Sequence, residues 1–314
     1  MLGKMDCFGL TDIGRKREKN DDQFLIADLA KSVRVHSTSL NHDDQTRLYG
    51  ESQGKLLLVA DGMGGHLAGD RASTVAVDEL LNYLLNSMRW FFRLADDPDD
   101  DFLEELKAAL VHCEQRLWDE MQQFPQRRGM GTTMTMAYVV WPRLYVVHAG
   151  DSRCYLLRYP HFKQITHDHT VAQKLVDAGE IHADDVEASQ WSHVVWNVLG
   201  GNVEEIHPSV YRAELRLGDV LLLCSDGLTK HVSDETACEM LAESTSAERA
   251  CHDLVAAAND AGGSDNVTVV VASFRDISDT PAELQAAAIA ETTSVTKVEK
   301  PTSGRRDRTT TAAK

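Results

Sequence analysis

The sequence predicts a layered α+β domain, and two observations support this prediction. Along the chain, strand-like segments fall into three groups that are separated by two pairs of helix-like segments. This order is typical of α+β domains, in which helices cover the faces of sheets. The chain also has 314 residues, of which 43% are hydrophobic and 26% charged. It can therefore bury the core of one large domain or two small ones.

Three strands and two long helices come first. The segments "MDCFGLTDIG", "DQFLIAD" and "KLLLVAD" have the apolar patterns of strands. Residues 29–53, between the last two strands, are polar and show no period, and we interpret them as a surface hairpin or a long loop. From Asp70 onward, apolar residues recur at helical spacing. The segment "DDPDDD" ends this pattern, and a second helix takes in residues 103–117.

A strand meander and a second pair of helices complete the predicted domain. The segments "TTMTMAYVVW", "LYVVHAG", "SRCYLLRY" and "FKQIT" alternate or run apolar between turn residues, as antiparallel strands do. The segment "DHTVAQKLVDAGEI" predicts a helix, and "VYRAEL" and "DVLLLCSDG" predict two more strands. Two helices up to residue 262 and a final strand, "NVTVVVASF", follow.

The C-terminal segment, residues 276–314, differs in composition from the rest of the chain. It is rich in Thr, Ala and charged residues and has no aromatic residue or core periodicity. We therefore predict a domain of residues 1–275 followed by a disordered tail. The six acidic and six basic residues of the tail cancel, which leaves the net charge of −17 on the domain. Such a charge repels a phosphate backbone, and we expect no nucleic-acid partner.

The lengths of the apolar runs and the placement of the cysteines indicate the cellular location of the protein. No apolar run is long enough to span a bilayer, and no apolar segment led by basic residues opens the sequence, so we expect no membrane association. The six cysteines are scattered without a C-x-x-C pair, which favours free thiols over disulfides or zinc. We therefore expect a cytoplasmic protein.

Aspartates border five of the predicted strands. They are Asp22, Asp61, Asp151, Asp226 and Asp265, and most of them have a glycine close by. Each Asp-Gly pair taken alone is more typical of a turn. Where several acids meet, however, metal coordination is the commonest way to satisfy buried carboxylates. A neighbouring glycine also lets the backbone approach closely, so that a carbonyl can itself be a ligand.

Six motifs, taken together, resemble one known family. The segments "RKREKNDDQF", "VADGMGGHLAGDRAS", "GMGTTMT", "VVHAGDSRCYLL", "LLLCSDGLT" and "GGSDNVTVVV" stand in the order and approximate spacing of the metal-dependent protein phosphatases of type 2C. The resemblance covers roughly residues 5–274. It implies a central antiparallel β-sandwich flanked by pairs of helices, in four layers (α/β/β/α), with a two-metal site at one end.

The resemblance also implies an activity and its partners. It predicts hydrolysis of phosphoserine and phosphothreonine esters on proteins, dependent on two Mn²⁺ or Mg²⁺ ions. Its substrates would be phosphorylated proteins, and a Ser/Thr kinase would oppose it. Ligation by oxygen atoms favours these hard ions over zinc. We expect the protein to act as a monomer.

Metal ligands are assigned through the resemblance, position by position. Asp61 resembles the carboxylate that bridges the two metals, Gly62 offers its carbonyl to one of them, and Asp226 and Asp265 complete the other side. Asp22 resembles an acid that binds a metal directly or through water.

Two further positions are compared with the family pattern. Asp151 matches an aspartate that helps to hold a weaker third metal in bacterial members. Asp21 fills a position that is usually Glu or Gln, and its shorter side chain reaches less far.

Arg17 and His66 match catalytic positions of the family. Arg17 resembles an arginine that clamps the phosphate, and its guanidinium fork suits two phosphate oxygens in a way that lysine does not. His66 resembles the proposed general acid that protonates the leaving Ser or Thr oxygen, a role that suits a group titrating near neutral pH. Without the motifs, Arg17 would be one more base in "GRKREK", and His66 could equally be an exposed helix cap.

One segment departs from the family pattern. Residues from about 166 to 202 resemble the mobile flap beside the active site, but they include "SHVVWNVLGG" where many members read close to "RNxLTRALG". The substrate preference is therefore not predicted. For Trp191 and Trp196, the commoner role is to pack such a flap against the domain.

Three functional hypotheses follow. The first is an active phosphoprotein phosphatase, and the second is a catalytically impaired relative that binds phosphoproteins as a regulator. The third is a structural β-sandwich whose Asp-Gly turns are coincidental, which would require every motif to be accidental. The presence of Asp61, Asp226 and Asp265 argues against the second hypothesis, since a dead site has no physical reason to keep uncompensated acids together.

Overall fold

A computed structural model describes residues 5–35, 37, 39, 47–64, 68–87, 99–186, 189–201, 205–274 and 295–297. In chain order the strands are β1 (Asp6–Asp12), β2 (Asp22–Arg34), β3 (Arg47–Met63), β4 (Gly131–Thr132), β5 (Met134–Val140), β6 (Arg143–Ala149), β7 (Arg153–Arg158), β8 (His161–Gln164), β9 (Leu199–Gly200), β10 (Ser209–Glu214), β11 (Val220–Cys224), β12 (Val267–Ser273) and β13 (Val295–Lys297). The helices are α1 (Gly69–Asn86), α2 (Asp99–Gln123), α3 (Val171–Asp177), α4 (Asp226–Thr229), α5 (Asp234–Glu243) and α6 (Ala247–Asp260).

Two antiparallel sheets form the centre of the fold. The smaller sheet has the strand order β1-β12-β11-β7-β8, and the larger has the order β13-β10-β6-β5-β3-β4-β9, with β2 also paired to β3. Their inner faces share one buried apolar cluster, to which Leu57 of β3, Val146 of β6 and Leu223 of β11 belong. This arrangement confirms the predicted antiparallel sandwich.

Helices cover both outer faces of the sandwich. In the larger sheet, Met136 packs in one buried cluster with Leu80 of α1 and Leu110 of α2. On the smaller sheet, α5 and α6 pack with strands β11 and β12 in a second cluster. The four-layer order predicted from the resemblance is therefore confirmed. Among the described residues, even the longest helix, α2, is not apolar enough along its length to cross a membrane.

Strand β11 is the uninterrupted apolar run that leads to the site, and burial on both faces explains its composition. All five of its residues are buried. Leu221 and Leu223 face the cluster between the sheets, whereas Leu222 and Cys224 face the helices. A strand that is covered on both faces needs apolar residues at every position. Acidic residues can therefore stand only at its two ends, where Asp219 and Asp226 are found.

The segment of residues 29–53 forms a hairpin extension in its described part. Strand β2 continues to Arg34, and β3 begins at Arg47. The two strands stay paired beyond a register shift, with Ser32 opposite Tyr49 and Arg34 opposite Arg47. The hairpin interpretation is thus confirmed for these strands, and most of the connection between them lies outside the described residues.

The tail differs from its prediction at one place. Residues 295–297 form β13, which pairs antiparallel with Tyr211–Ala213 of β10. Without β13, β10 would present unpaired backbone groups at the edge of the sheet, and Val and Thr favour strand conformation. The prediction of disorder is therefore wrong for these residues. The other residues of 276–314 lie outside the described residues, and disorder there stays a prediction.

Candidate metal centre

The five aspartates lie at one end of the sandwich because of strand pairing. Asp22 begins β2 directly opposite Asp61 of β3. Asp226 follows β11 and Asp265 precedes β12, and these two strands are antiparallel neighbours. Asp151 stands shortly after β6. The charges of the other four carboxylates all act on Asp61, so the structure brings the predicted set together.

Two carboxylate oxygens at this end are buried and lack a partner among the described residues. Asp22 is 2% exposed, and its Oδ2 accepts a hydrogen bond of 2.7 Å from the Ser225 hydroxyl. Its Oδ1 has no hydrogen-bond partner, and the same is true of Oδ1 of Asp226. Buried polar atoms in proteins are nearly always paired. Two unpaired oxygens among like charges are what a hard divalent cation would satisfy.

Three carboxylates of the cluster have raised pKa values, which shows that their charged forms need a compensating cation. Burial, reinforced by the Asp226 charge, raises the pKa of Asp22 to about 6. Burial together with the Asp226 and Asp168 charges raises the pKa of Asp151 to about 8. Desolvation and the Asp22 charge raise the pKa of Asp61 well above its ordinary value. Without added cations, protons are thus favoured at this cluster near neutral pH.

Asp265 is the exception, because two cations contact it. Arg17 Nε lies 2.7 Å from Oδ1, and Arg17 Nη2 donates to Oδ2 over 2.9 Å. Lys230 Nζ also lies 2.9 Å from Oδ2. Burial alone would raise the pKa of Asp265, but the hydrogen bonds from Arg17 and Lys230 outweigh it and hold the pKa below its ordinary value. Arg17, the predicted phosphate-binding residue, is therefore paired with Asp265, a predicted metal ligand.

Lys230 also contacts Asp226, and the sequence analysis did not identify it. Its ammonium lies 2.6 Å from Asp226 Oδ2. The spacing of four residues across the short helix α4 is the signal that could have revealed this pair. In the part of the chain that the structure describes, no three His, Cys, Asp or Glu side chains already stand in the arrangement of a metal site. Lys230 and Arg17 instead occupy oxygens that the metals would need.

Gly62 is required by close backbone packing. A Cβ atom at this position would lie 2.2 Å from the Gly69 carbonyl oxygen and 2.6 Å from that of Asp21. Strand β3 and the start of α1 could not approach each other with any larger residue here. The Asp21 side chain has a structural role in the same contact, because its Oδ1 accepts a hydrogen bond of 3.1 Å from the Asp70 N–H in the first turn of α1.

Hydroxyl groups hold the backbone of Asp61 in place. The N–H of Asp61 donates to Thr133 Oγ1 over 2.9 Å, and its carbonyl accepts from Thr132 Oγ1 over 2.9 Å. Thr133 in turn is hydrogen bonded to the Ser152 hydroxyl at 2.6 Å. These residues belong to the "GTT" and "GDS" motifs, for which the sequence analysis gave no such role. They position the predicted bridging ligand.

The structure describes most of the flap but not the predicted general acid, His66. His66 lies outside the described residues, so its role stays a prediction. In the flap, the centroids of the Trp196 and His169 rings are 5.3 Å apart. Lys174 Nζ lies over the Trp196 ring, 3.4 Å from its centroid. Trp196 thus packs against other residues of the flap, and Trp191 is 44% exposed. Packing of either ring against the domain stays a prediction. An open groove runs from Met63 and Gly64 to Lys174 and Trp196.

Comparisons with known proteins agree with this geometry. The family model for protein phosphatase 2C matches residues 34–262. The serine/threonine protein phosphatase PstP of Mycobacterium tuberculosis is 41% identical over 222 residues, which are 71% of this chain and 41% of PstP. The protein phosphatase PhpP of Streptococcus pneumoniae is 31% identical over 276 residues, which are 87% of this chain and 98% of PhpP.

A solved structure resembles the fold as well. The catalytic domain of PstP in complex with two manganese ions has a TM-score of 0.65 and 34% identity, and the match covers 86% of this chain and 97% of that one. This chain spans about two fifths of the full length of PstP. The matched family model, the full-length similarity to PhpP and the shared fold lead to one conclusion: the chain belongs to the protein phosphatase 2C family, as a member of the bacterial serine/threonine phosphatase type.

Proposed function

We propose that this family member is an active enzyme that hydrolyses phosphoserine and phosphothreonine esters on proteins. The observation that supports this most directly is the pair of buried oxygens, Asp22 Oδ1 and Asp226 Oδ1, which lack a partner among the described residues. A divalent cation would compensate both oxygens together and would replace the protons that the metal-free cluster favours near neutral pH. The relatives PstP and PhpP are named protein phosphatases, and PstP has been solved with two manganese ions.

In the proposed site, carboxylates and one backbone carbonyl would hold two divalent cations. Asp61 would be the ligand that both cations share, and the other ligands would be Asp22, Gly62, Asp226 and Asp265. When bound, two such ions lower the pKa of a shared water and stabilise an in-line displacement at phosphorus. Because all of these ligand atoms are oxygens, we infer Mn²⁺ or Mg²⁺ as the ions. Asp151 offers a carboxylate for a third, weaker ion.

Arg17 and His66 act on the substrate in this proposal. Arg17 orients the phosphate through its guanidinium fork. Its side chain is 53% exposed, so it can turn one edge to a substrate while the other stays near Asp265. His66 protonates the leaving Ser or Thr oxygen. Both roles rest on the match to the family motifs.

The proposal extends to the surroundings of the enzyme. Phosphorylated protein substrates require a Ser/Thr kinase that produces them, and we infer that this phosphatase opposes such a kinase in the cytoplasm. All six cysteines are free, which agrees with a reducing compartment. No observation among the described residues favours the catalytically impaired alternative.

Hydrolysis assays on the purified full chain test the proposal. The substrates are p-nitrophenyl phosphate and a phosphothreonine peptide, each in EDTA, in Mn²⁺ and in Mg²⁺. We expect turnover of both substrates with a divalent ion and a loss of roughly a hundredfold or more in EDTA, because no described protein group replaces the ions as an activator of water. Undiminished turnover in EDTA would contradict the metal-dependent chemistry. Binding of the phosphopeptide without turnover in Mn²⁺ would instead support the regulator.

A further inference from the structure

Lys230 lies within the metal centre, although the proposed function gives it no role. Its backbone N–H closes the short helix α4 with a hydrogen bond of 2.9 Å to the Asp226 carbonyl. This turn brings the side chain back over Asp226, where Nζ lies 2.6 Å from Oδ2. The same Nζ lies 2.9 Å from Oδ2 of Asp265. One ammonium group thus connects two predicted metal ligands that are 39 residues apart in the chain.

The contacts of Asp265 leave little room for another cation. Its Oδ1 is contacted by Arg17 Nε at 2.7 Å and by the Asn266 N–H at 2.9 Å. Its Oδ2 is contacted by Arg17 Nη2 and by Lys230 Nζ, each at 2.9 Å. A divalent ion could bind Oδ2 only if one of these two donors withdrew, since two cations cannot share the same lone pairs at close range.

The charge of Lys230 reaches further into the cluster. It acts on Asp151 as well, where it opposes the rise in pKa. It therefore compensates part of the charge of three predicted ligands, Asp226, Asp265 and Asp151. In the metal-free protein this relieves repulsion among the carboxylates, and for an incoming divalent ion it is a repulsive charge.

The side chain of Lys230 is partly exposed to solvent and can leave the site. It is 25% exposed, and a lysine ammonium stands on a flexible four-carbon stem and is readily hydrated. Displacement by a metal ion would move it into water without breaking the fold. Arg17 contacts both oxygens of Asp265, whereas Lys230 contacts only Oδ2 of that carboxylate.

We propose that Lys230 is a tethered cation that competes with a divalent metal ion for Asp226 and Asp265. The metal-free enzyme is then stabilised by its own lysine, and loading requires a metal concentration high enough to displace it. The inference rests on the ligand assignment of the proposed function. It concerns the affinity of the metal site and not the hydrolytic step.

Metal titrations test this competition directly. The full chain is titrated with Mn²⁺ by calorimetry, with free Mn²⁺ followed by electron paramagnetic resonance, for wild type, Lys230→Met and Lys230→Gln. We expect the weakest-bound Mn²⁺ to bind at least roughly tenfold more tightly in both variants, which corresponds to about 1.4 kcal/mol. Lys163→Met is the matched control, because it removes the same charge from an exposed position on β8. It should leave the affinity within about twofold of wild type.

Thermal unfolding provides a second readout that does not depend on activity. In EDTA, Lys230→Met should unfold at a lower temperature than wild type, and saturating Mn²⁺ should raise its unfolding temperature by more than it raises that of wild type. Equal or weaker Mn²⁺ binding by both Lys230 variants would overturn the competition and would leave the metal centre itself in place. If neither wild type nor the variants bind Mn²⁺, the ligand assignment is wrong, and the inference that rests on it is wrong as well.

Discussion

The two ends of strand β11 each carry an aspartate, but their surroundings differ. Asp219, before the strand, is 1% exposed, and Arg158 donates to both of its oxygens, from Nε over 2.8 Å and from Nη2 over 2.7 Å. The Arg216 N–H adds a third hydrogen bond of 2.8 Å. Asp226, after the strand, is contacted by Lys230 at one oxygen only, with Nζ 2.6 Å from Oδ2. It also lies near the charge of Asp22, and its Oδ1 has no partner within the described residues.

This difference separates a structural carboxylate from a functional one. A buried aspartate with a complete set of donors is compensated within the protein, and removing its charge weakens the compensation of the buried arginine that contacts it. An aspartate among like charges with one unpaired oxygen is only partly compensated within the protein, and removing its charge relieves repulsion. We therefore expect activity and stability to respond in opposite ways at the two ends of β11.

The largest expected effect is that of Asp61→Asn at the metal end. Activity on p-nitrophenyl phosphate in Mn²⁺ should fall by roughly a thousandfold or more, about 4 kcal/mol in transition-state stabilisation, because the bridging ligand is lost. In EDTA the variant should be at least as stable as wild type in urea unfolding, since a neutral amide replaces a carboxyl whose charged form is disfavoured by burial and by the neighbouring carboxylates. Full turnover would refute the bridging role, and a marked loss of stability in EDTA would refute the repulsion.

The converse is expected for Asp219→Asn at the opposite end. The substitution takes the carboxylate charge of Asp219 away from the buried Arg158 guanidinium, which should lower the free energy of unfolding by about 3 kcal/mol or more. The kcat of the folded fraction should stay close to that of wild type. Urea unfolding and steady-state kinetics measure both quantities. The double variant Arg158→Met/Asp219→Leu is the control and should recover much of the lost stability, because it removes both charges.

The pH dependence of stability should reveal the raised pKa values of the metal end. Folding holds a proton on Asp151, whose pKa is raised to about 8, while the unfolded chain has already released it. In EDTA, the free energy of unfolding should therefore fall by on the order of 2 kcal/mol as the pH rises from about 6.5 to 8.5. Denaturant titrations at several pH values measure this slope. Asp151→Asn should flatten it, and a slope that is unchanged in this variant would assign it to other groups.

A smaller effect is expected from Arg17→Ala. The variant loses a phosphate clamp and no metal ligand, so KM for a phosphothreonine peptide should rise by roughly tenfold, about 1.4 kcal/mol, while both metal ions stay bound. Steady-state kinetics and Mn²⁺ calorimetry separate the two properties. A missing metal ion in this variant would show that the contact between Arg17 and Asp265 supports metal binding instead.

The smallest effect is expected from truncation after Phe274. The deletion removes the tail, including strand β13 on the outer edge of β10, but none of the residues assigned to the metal centre. The kcat for p-nitrophenyl phosphate should stay within about twofold of that of the full chain, well under 1 kcal/mol. A tenfold loss would show that the tail belongs to the catalytic domain.

Much of the fold could be predicted because its signals are local. The uninterrupted apolar run of β11 and the helical spacing after Asp70 predict a doubly covered strand and a helix from residues close together in the chain. The elements that were missed are too short to show a period. Strands β4 and β9 have two residues each, and α4 is a single turn.

The sequence by itself determined the family and the end of the sandwich at which acids meet, because each aspartate follows or precedes a strand in its own motif. Apart from the local pair of Asp226 and Lys230, the tertiary structure decided what the acids contact. The hydrogen bond from Ser225 to Asp22 joins residues 203 positions apart, and the pair of Arg17 and Asp265 joins residues 248 apart. Such contacts depend on the packing of the two sheets, and no local period records that packing. Whether a buried carboxylate receives an arginine, a lysine or no partner in the described chain is therefore decided by which strands come together.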